Sequence, residues 1–312
     1  MDNQKKLELQ RLLWMANVQA FFPDKTASEL DAGYQQWLGH RQDFLRLYRE
    51  HPTGMADHIV VSEALQNLRP GILFTFHFGP YRLLPRLLVA AGCRVTLLVS
   101  ATVLEREQDD YRQQLSHMGL SADYVECLSA TDPMVLRKLL HAVAMQRVVL
   151  VFLDANESVV QLRDKERSGR LRVAFGASHF YWRSNLLKLA HRFALPVQAI
   201  YLRPDGHSAG AGWQPVKATN ILNPDSSRSP ERLLEAFAAL QQTFQEMIAL
   251  DWTAWENWAL IHHYLETDDQ KRKTPHRQGS WMLPFAFRDK AYLFDLSSKR
   301  FYPIIANKEM FD

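Results

Sequence analysis

Short apolar segments alternate with segments of helical periodicity from about residue 59, and this alternation most constrains the fold. Helical patterns lie near 81–91, 103–118, 132–145 and 178–194. They lie between five segments of strand length, most of them rich in β-branched residues: 72–76, 94–100, 122–127, 147–153 and 196–202. Apolar strands separated by helices are typical of a parallel sheet covered on both faces. We therefore predict an α/β fold with a mainly parallel central sheet flanked by helices.

The chain on either side of this alternation predicts two additions. An amphipathic helical pair over 4–21 and 27–50 precedes the strands, and two β-rich segments of the tail, 292–296 and 300–304, are joined by a polar turn. The predicted parts are an N-terminal helical segment packed on the main domain, the α/β domain, and a linker with a C-terminal β-hairpin, with bounds 1–58, 59–266 and 267–312.

Three further elements follow from local signals. Residues 170–175 alternate between charged and apolar side chains, which predicts a half-buried strand. Ser229, Pro230 and Glu231 form a helix start, with a capping serine, a proline at the first helical position and an acid in the first turn. A bulky, aromatic segment predicts another helix over about 252–265.

Charge and composition limit the classes of partner. The net charge of +3 is too small an excess to indicate nucleic-acid binding, while the sequence pI of 8.8 permits weak attraction to phosphates, acidic carrier domains or lipid head groups. Cys93 and Cys127 lack the spacing of metal ligands, which favours buried thiols in a reducing compartment. No secretory signal and no long uncharged apolar run is visible, so we expect a cytoplasmic protein that is at most peripheral to a membrane.

The strand at 72–76 ends at a histidine that could have a chemical role. His77 is followed by Gly79 and Pro80 and then by a helical pattern, so it is expected at the carboxyl end of a buried strand. Ligands of open α/β sheets bind at this edge, and a histidine there is well placed to act as a general base. The alternative is a core histidine whose ring is hydrogen-bonded to the backbone, and position alone does not decide between the two.

Four motifs occur in an order that resembles the lysophospholipid acyltransferase superfamily, and within it the lipid A biosynthesis acyltransferase branch. The resemblance covers roughly 60–265 and rests on these segments: the histidine motif 77–81, the strand 150–154 that ends in an acid, the Phe-Gly turn 172–176 with its following Leu-Ala helix and Pro-Val strand, and the Trp-rich segment 255–263. The resemblance implies an enzyme that moves an acyl group from a thioester of coenzyme A or an acyl carrier protein to an acceptor, with His77 as the base.

The sequence departs from that family at one position. The family places an acid five residues after the histidine, where it orients the ring, whereas here Arg82 stands at that position. An arginine cannot accept the imidazole N–H. Either another carboxylate supports His77, with Asp154 the first candidate and Glu157 a weaker one, or the acceptor is an amine that needs less base assistance and Arg82 binds a phosphate or carboxylate. In a third interpretation the chain has lost the chemistry and only binds a ligand.

Other candidate contacts follow from the same resemblance. Backbone N–H groups near Gly79 and Gly176 are expected to stabilise the developing oxyanion, and Tyr81 is expected to contact substrate. Ser178 and Arg183 are expected at the start of a helix, where they would contact an anion; the alternative is a capping serine and a surface arginine. His262 and His263 lack further ligands at suitable spacing, so no metal site is predicted.

These expectations combine into one functional prediction. The chain is expected to be an acyltransferase-like enzyme that moves an acyl or aminoacyl group from a carrier-protein or coenzyme A thioester to an amine or hydroxyl. No cofactor beyond that co-substrate is expected, and an acyl or peptidyl carrier protein is the expected partner, as in specialised-metabolite assembly. The alternatives are a peripheral acyltransferase with a lipid acceptor of the lipid A type, and a non-catalytic binding protein on the same fold.

Overall fold

The computed structural model describes residues 3–50, 65, 68–117, 119–154, 170–204, 213–215, 219–225, 228–261, 282–287 and 290–304. The chain divides into two compact units. The first contains Met1–Leu38, Arg172–Tyr181 and Asn257–Asp312, and the second contains Gly39–Leu171 and Trp182–Glu256. In the part of the chain that is described, no helix combines the length and apolar character needed to cross a membrane. The predicted linker and the candidates Glu157, His262 and His263 lie outside the described residues.

The helices confirm most of the predicted ones. They are α1 (Asn3–Phe21), α2 (Ala27–Glu50), α3 (Leu84–Ala90), α4 (Ala101–His117), α5 (Val135–Ala144), α6 (Asn185–Phe193) and α7 (Pro230–Leu250). Two starts follow from capping chemistry. The Thr26 backbone N–H donates to Glu29 Oε2 at 2.7 Å and fixes the start of α2, while Ser229 Oγ accepts from the Arg232 N–H at 3.4 Å and caps α7 as predicted.

The strands confirm a mainly parallel central sheet. They are β1 (Gly71–Thr75), β2 (Val95–Val99), β3 (Val125–Ser129), β4 (Val148–Phe152), β5 (Arg170–Phe175), β6 (Ser178–Arg183), β7 (Val197–Ala199), β8 (Leu202–Pro204), β9 (Trp213–Pro215), β10 (Thr219–Leu222), β11 (Met282–Phe287), β12 (Lys290–Asp295) and β13 (Arg300–Pro303). Among the described strands the central sheet has the order β10-β7-β1-β4-β2-β3, and only the β10–β7 pair is antiparallel.

Strand β1 lies inside this sheet because its residues are apolar on both faces. All five residues are buried, and the strand pairs with β4 on one side and β7 on the other. Ile72, Leu73 and Phe74 are each at most 2% exposed. Burying a side chain of this size stabilises a fold by about 1.5–3 kcal/mol. The end of β1 is therefore a firmly held position from which to project a functional side chain.

Two predicted helices are wrong in part. The helix predicted over 178–194 begins only at Asn185, because Ser178–Arg183 forms strand β6, in which Phe180 and Trp182 are buried and alternate with less buried neighbours. This two-residue period and the run of aromatic residues favour a strand. The helix predicted over 252–265 is replaced, within the described residues, by short 3-10 helices at Trp252–Ala254 and Glu256–Ala259.

The C-terminal strands belong to the first unit. The predicted hairpin is confirmed as β12 and β13, and β11 adds a third antiparallel strand. At the hairpin turn, Lys299 Nζ donates to Asn17 Oδ1 on α1 at 2.9 Å. Burial lowers the pKa of Lys299 to about 8. This contact ties the hairpin to helix α1.

Candidate active site

The register of two neighbouring strands brings His77 and Asp154 together. Strands β1 and β4 are parallel, and Thr75 is paired with Phe152 at their carboxyl ends. His77 and Asp154 each lie two residues beyond that pair. The Leu153 N–H donates to the Thr75 carbonyl at 2.9 Å, so the two chains stay in register past the last ladder position. Both side chains are thereby placed at the carboxyl edge of the central sheet.

The contact between these two residues orients the imidazole. His77 Nδ1 lies 2.9 Å from Asp154 Oδ1, and the His77 backbone N–H donates to Oδ1 and Oδ2 at 3.1 and 3.0 Å. Asp154 is only 3% exposed. Because an ionised carboxylate only accepts hydrogen bonds, the neutral ring carries its proton on Nδ1. The lone pair then resides on Nε2, the nitrogen a general base needs.

A third donor completes the surroundings of the carboxylate. Trp255 Nε1 donates to Asp154 Oδ2 at 2.7 Å. The backbone around Trp255 is attached to the histidine segment, since the Glu256 N–H donates to the His77 carbonyl at 2.9 Å and the Gly79 N–H donates to the Ala254 carbonyl at 3.0 Å. Residues 254–256 therefore lie against 77–79 as a short antiparallel bridge.

Two aromatic rings hold the imidazole from its sides. The rings of Tyr81 and Phe152 each have their centroids 4.7 Å from that of His77. The Tyr81 hydroxyl donates to Glu256 Oε2 at 2.6 Å. Burial, together with the nearby Glu256 charge, raises the pKa of Tyr81, so the phenol stays protonated. The His77 side chain keeps 20% of its surface exposed.

The electrostatics of the site favour the protonated imidazole. Burial acts to lower the pKa of His77, but the charge and hydrogen bond of Asp154 outweigh it, with a smaller contribution from Glu256. The net result is a raised pKa of His77. The imidazolium that forms when a base takes a proton is therefore stabilised here.

Arg82 does not occupy the orienting position. Its guanidinium lies 5.8 Å from the ring centroids of Tyr48 and Tyr81, and its Nε contacts the Tyr81 hydroxyl at 3.4 Å. The Arg82 charge is the smallest of the influences on the pKa of His77. The neighbouring Arg86 is buried, stacks on Tyr48 at 4.2 Å and donates to the Tyr48 carbonyl, which makes it a packing residue.

Gly79 is placed beside His77 but its amide is already in use. It adopts a φ of +60°, and a Cβ there would lie 2.5 Å from the Trp213 ring. Both the left-handed conformation and this contact require glycine. Its N–H donates to Ala254, so in this geometry Gly79 is a structural residue.

The remaining predicted residues belong to strand β6 and the turn before it. Gly176 and Ser178 belong to the first unit, where Gly176 forms the turn between β5 and β6 with a φ of +52°. The prediction that Ser178 begins a helix is wrong, because it begins strand β6. Arg183 ends that strand in the second unit and is exposed. Ser178 therefore lies outside the helix start on which the predicted anion contact depended, whereas Arg183 lies two residues before α6.

A cavity of about 290 Å³ lies at the opposite edge of the sheet. It is lined by Arg94, Arg147 and Glu126 near the amino ends of β2, β3 and β4. Arg147 is buried and donates to Thr96 Oγ1 at 2.8 Å and to the Val95 carbonyl at 2.7 Å, so its role is to hold strands. Among the described residues, no group of three His, Cys, Asp or Glu side chains is arranged to hold a metal ion.

The sequence analysis missed the roles of Trp255 and Glu256. Their signal was the Trp-Glu pair in the Trp-rich segment, but nothing in the sequence indicates that this segment reaches the end of β1. No family model matches the sequence, and no curated protein matches it.

Proposed function

We propose that the chain is an acyltransferase that moves an acyl or aminoacyl group from a thioester to an amine or hydroxyl acceptor, with His77 as general base and Asp154 as its orienting carboxylate. The observation that supports this most directly is the 2.9 Å contact between His77 Nδ1 and a buried carboxylate at the carboxyl edge of the sheet. A general base that is hydrogen-bonded to an orienting carboxylate is an arrangement that activates a nucleophile in acyl transfer.

The proposed step uses the free nitrogen of the ring. His77 Nε2 takes the proton of the acceptor while the acceptor oxygen or nitrogen bonds to the thioester carbonyl carbon. The tetrahedral intermediate then expels the thiolate, which takes the proton from the imidazolium. One acyl–sulfur bond is broken, one acyl–acceptor bond is formed, and the products are the acylated acceptor and a free thiol.

Arg82 fits this proposal in a different role from the one its position in the family motif suggests. Because Asp154 supplies the acceptor for Nδ1–H, the position five residues after His77 has no need of an acid. The Arg82 guanidinium lies over Tyr81, which packs on the His77 ring. We propose that it contacts an anionic group of the substrate, a carboxylate or phosphate, through its planar fork of donors. An acidic carrier protein is the proposed donor partner, with coenzyme A as the alternative, and the basic pI is compatible with either.

A non-catalytic binding protein is the second candidate, and one observation favours it. The N–H of Gly79, one of the backbone amides in the segment expected to stabilise an oxyanion, already donates to the Ala254 carbonyl. Losing such a donor costs about 10²–10³-fold in the rate of acyl transfer. A binding protein would need no such donor.

The test offers coenzyme A and carrier-protein thioesters in parallel to the purified chain with amine and hydroxyl acceptors. Transfer should fall to background in His77→Ala and remain in His141→Ala, a matched histidine exposed on α5. Equal transfer by the His77→Ala variant would eliminate His77 as the base. Folded protein that transfers from no thioester to any acceptor class would favour the binding protein.

A further inference from the structure

We infer that Trp255 is a positioning residue for the proposed base, because its indole holds the Asp154 carboxylate in the orientation in which it accepts the Nδ1–H of His77. A role of Trp255 in catalysis rests on the proposed function, but the effect of Trp255 on the His77 ring can be observed without any substrate. The Trp255 indole is fully buried and therefore has no direct access to solvent.

The geometry at the carboxylate supports a role beyond packing. The two oxygens of Asp154 accept from His77 on one side and from the Trp255 indole on the other, and the indole contact is the shorter at 2.7 Å. An indole N–H can only donate. The atom facing Trp255 must therefore be an acceptor, a condition that both oxygens of an aspartate meet but only one side of an asparagine amide meets.

The position of the indole is set by backbone contacts to the histidine itself. Trp255 forms an isolated antiparallel bridge with Phe78, and the flanking hydrogen bonds join Glu256 to the His77 carbonyl and Gly79 to the Ala254 carbonyl. The same short segment thus carries both the donor to Asp154 and the attachment to the residue that Asp154 orients. The Trp255 ring also packs edge-on against Phe244 at 5.2 Å.

A matched control exists in the same aromatic cluster. Trp182 is 1% exposed and packs edge-on against Phe244 at 5.4 Å, with further ring contacts to Phe76 and Phe237. Replacing either tryptophan by phenylalanine removes a buried indole from contact with Phe244. Only Trp255→Phe removes a donor from Asp154.

The experiment is ¹⁵N NMR of the histidine rings in the full chain, combined with transfer kinetics. The chain has 12 histidines, so the signals of His77 are identified by their loss in His77→Gln. In Trp255→Phe we expect the Nδ1–H proton of His77 to change its chemical shift and to exchange faster with solvent. We also expect kcat to fall about ten- to hundredfold, as when a partner that orients a metal-bound histidine is removed, with little change in KM.

A double variant tests, through the His77 tautomer, whether the Trp255 indole restricts the side chain at position 154. In Asp154→Asn the indole should force the amide oxygen toward Trp255 and its NH₂ toward His77, which converts the ring to the Nε2–H form. Removing the indole relaxes that restriction. The Nδ1–H fraction should therefore be larger in Trp255→Phe/Asp154→Asn than in Asp154→Asn alone, whereas adding Trp182→Phe to Asp154→Asn should leave it unchanged.

The outcomes separate this inference from the proposed function. Equal His77 spectra and equal kcat in Trp255→Phe and Trp182→Phe, with His77-dependent transfer intact, would overturn the positioning role and leave the acyltransferase standing. A tautomer shift specific to the Trp255 variants in a chain that transfers from no thioester would support the positioning role and overturn the function. A tautomer fraction that is the same in both Asp154→Asn double variants would overturn the inference in either case.

Discussion

Replacing Asp154 by asparagine is the most discriminating single change at the site, because it preserves shape, removes the charge and replaces one acceptor oxygen by an NH₂ donor. The carboxylate accepts from His77 Nδ1, from the His77 backbone and from Trp255 Nε1, at 2.7 to 3.1 Å. An asparagine has one acceptor oxygen and one NH₂ donor. In either orientation its NH₂ must face one of the two side-chain partners.

The two orientations differ in cost. With the NH₂ toward Trp255, two donors meet in a buried place, which costs about 1–3 kcal/mol for the unsatisfied group. With the NH₂ toward His77, the imidazole avoids the conflict by moving its proton from Nδ1 to Nε2. The His77 backbone N–H lies 3.0 and 3.1 Å from the two oxygens and so can be satisfied in both cases. The variant should therefore adopt the second orientation, in which Nε2 carries a proton and cannot act as a base.

The expected result is a folded protein with the wrong tautomer. The analogous substitution in a serine protease triad lowers kcat about 10⁴-fold. We expect kcat to fall about 10³–10⁴-fold here, equivalent to a loss of about 4–5.5 kcal/mol of transition-state stabilisation. The assay is kcat with the best thioester donor, alongside the ¹⁵N spectrum of His77 and thermal unfolding. A variant that keeps the Nδ1–H tautomer, or that keeps more than a tenth of the activity with the Nε2–H tautomer, would show that Asp154 does not set the protonation of a catalytic His77.

Two further predictions concern pH and backbone conformation. Because the pKa of His77 is raised in the fold, its interaction with Asp154 stabilises the fold fully at a pH below the unfolded-state pKa of about 6.5. This contribution is lost as the pH rises through the folded-state pKa. Urea unfolding across that range should therefore show a fall in the free energy of unfolding that is absent in His77→Gln. The substitution Gly79→Ala should destabilise the chain by about 2 kcal/mol or more, because it combines a left-handed φ with steric overlap between the new Cβ and the Trp213 ring. The control is Gly92→Ala, where φ is +87° and nothing lies within 4 Å of the new Cβ. It should show only the cost of placing an alanine at a positive φ. Equal losses for the two glycines in urea unfolding would contradict the overlap.

The central sheet could be predicted from the sequence because its signal is local. Each inner strand is a short apolar run, and the prediction placed β1 and β4 within one residue of their observed bounds. The carboxyl-edge rule then made Asp154 a candidate partner for His77. What the rule could not supply is the pairing of Thr75 with Phe152, since register depends on contacts between segments far apart in the chain.

The errors arose where tertiary contacts override local pattern. Residues 178–183 fit a helix-length gap between two strands, but their buried positions alternate in a two-residue period once β5 is available as a partner. The Trp-rich segment fits helical spacing, yet its backbone N–H and carbonyl groups at 254–256 are used to bind the end of β1. Those hydrogen bonds compete with the ones a continuous helix would make.

Arg82 stands five residues after His77, but the carboxylate that faces His77 Nδ1 is that of Asp154. From the sequence alone, an arginine near the histidine is expected to lower the pKa of the imidazole and so to disfavour the imidazolium that a base forms. In the structure its charge is the weakest influence on His77, while Asp154 acts through both a direct hydrogen bond and its charge. Support from the neighbouring strand β4 makes the orienting contact independent of the turn that follows His77. That turn, the 3-10 helix Tyr81–Leu83, can then place Tyr81 against the imidazole and Arg82 over Tyr48 and Tyr81. In the ¹⁵N spectrum, Arg82→Gln should therefore leave the His77 tautomer unchanged, whereas Asp154→Asn should reverse it.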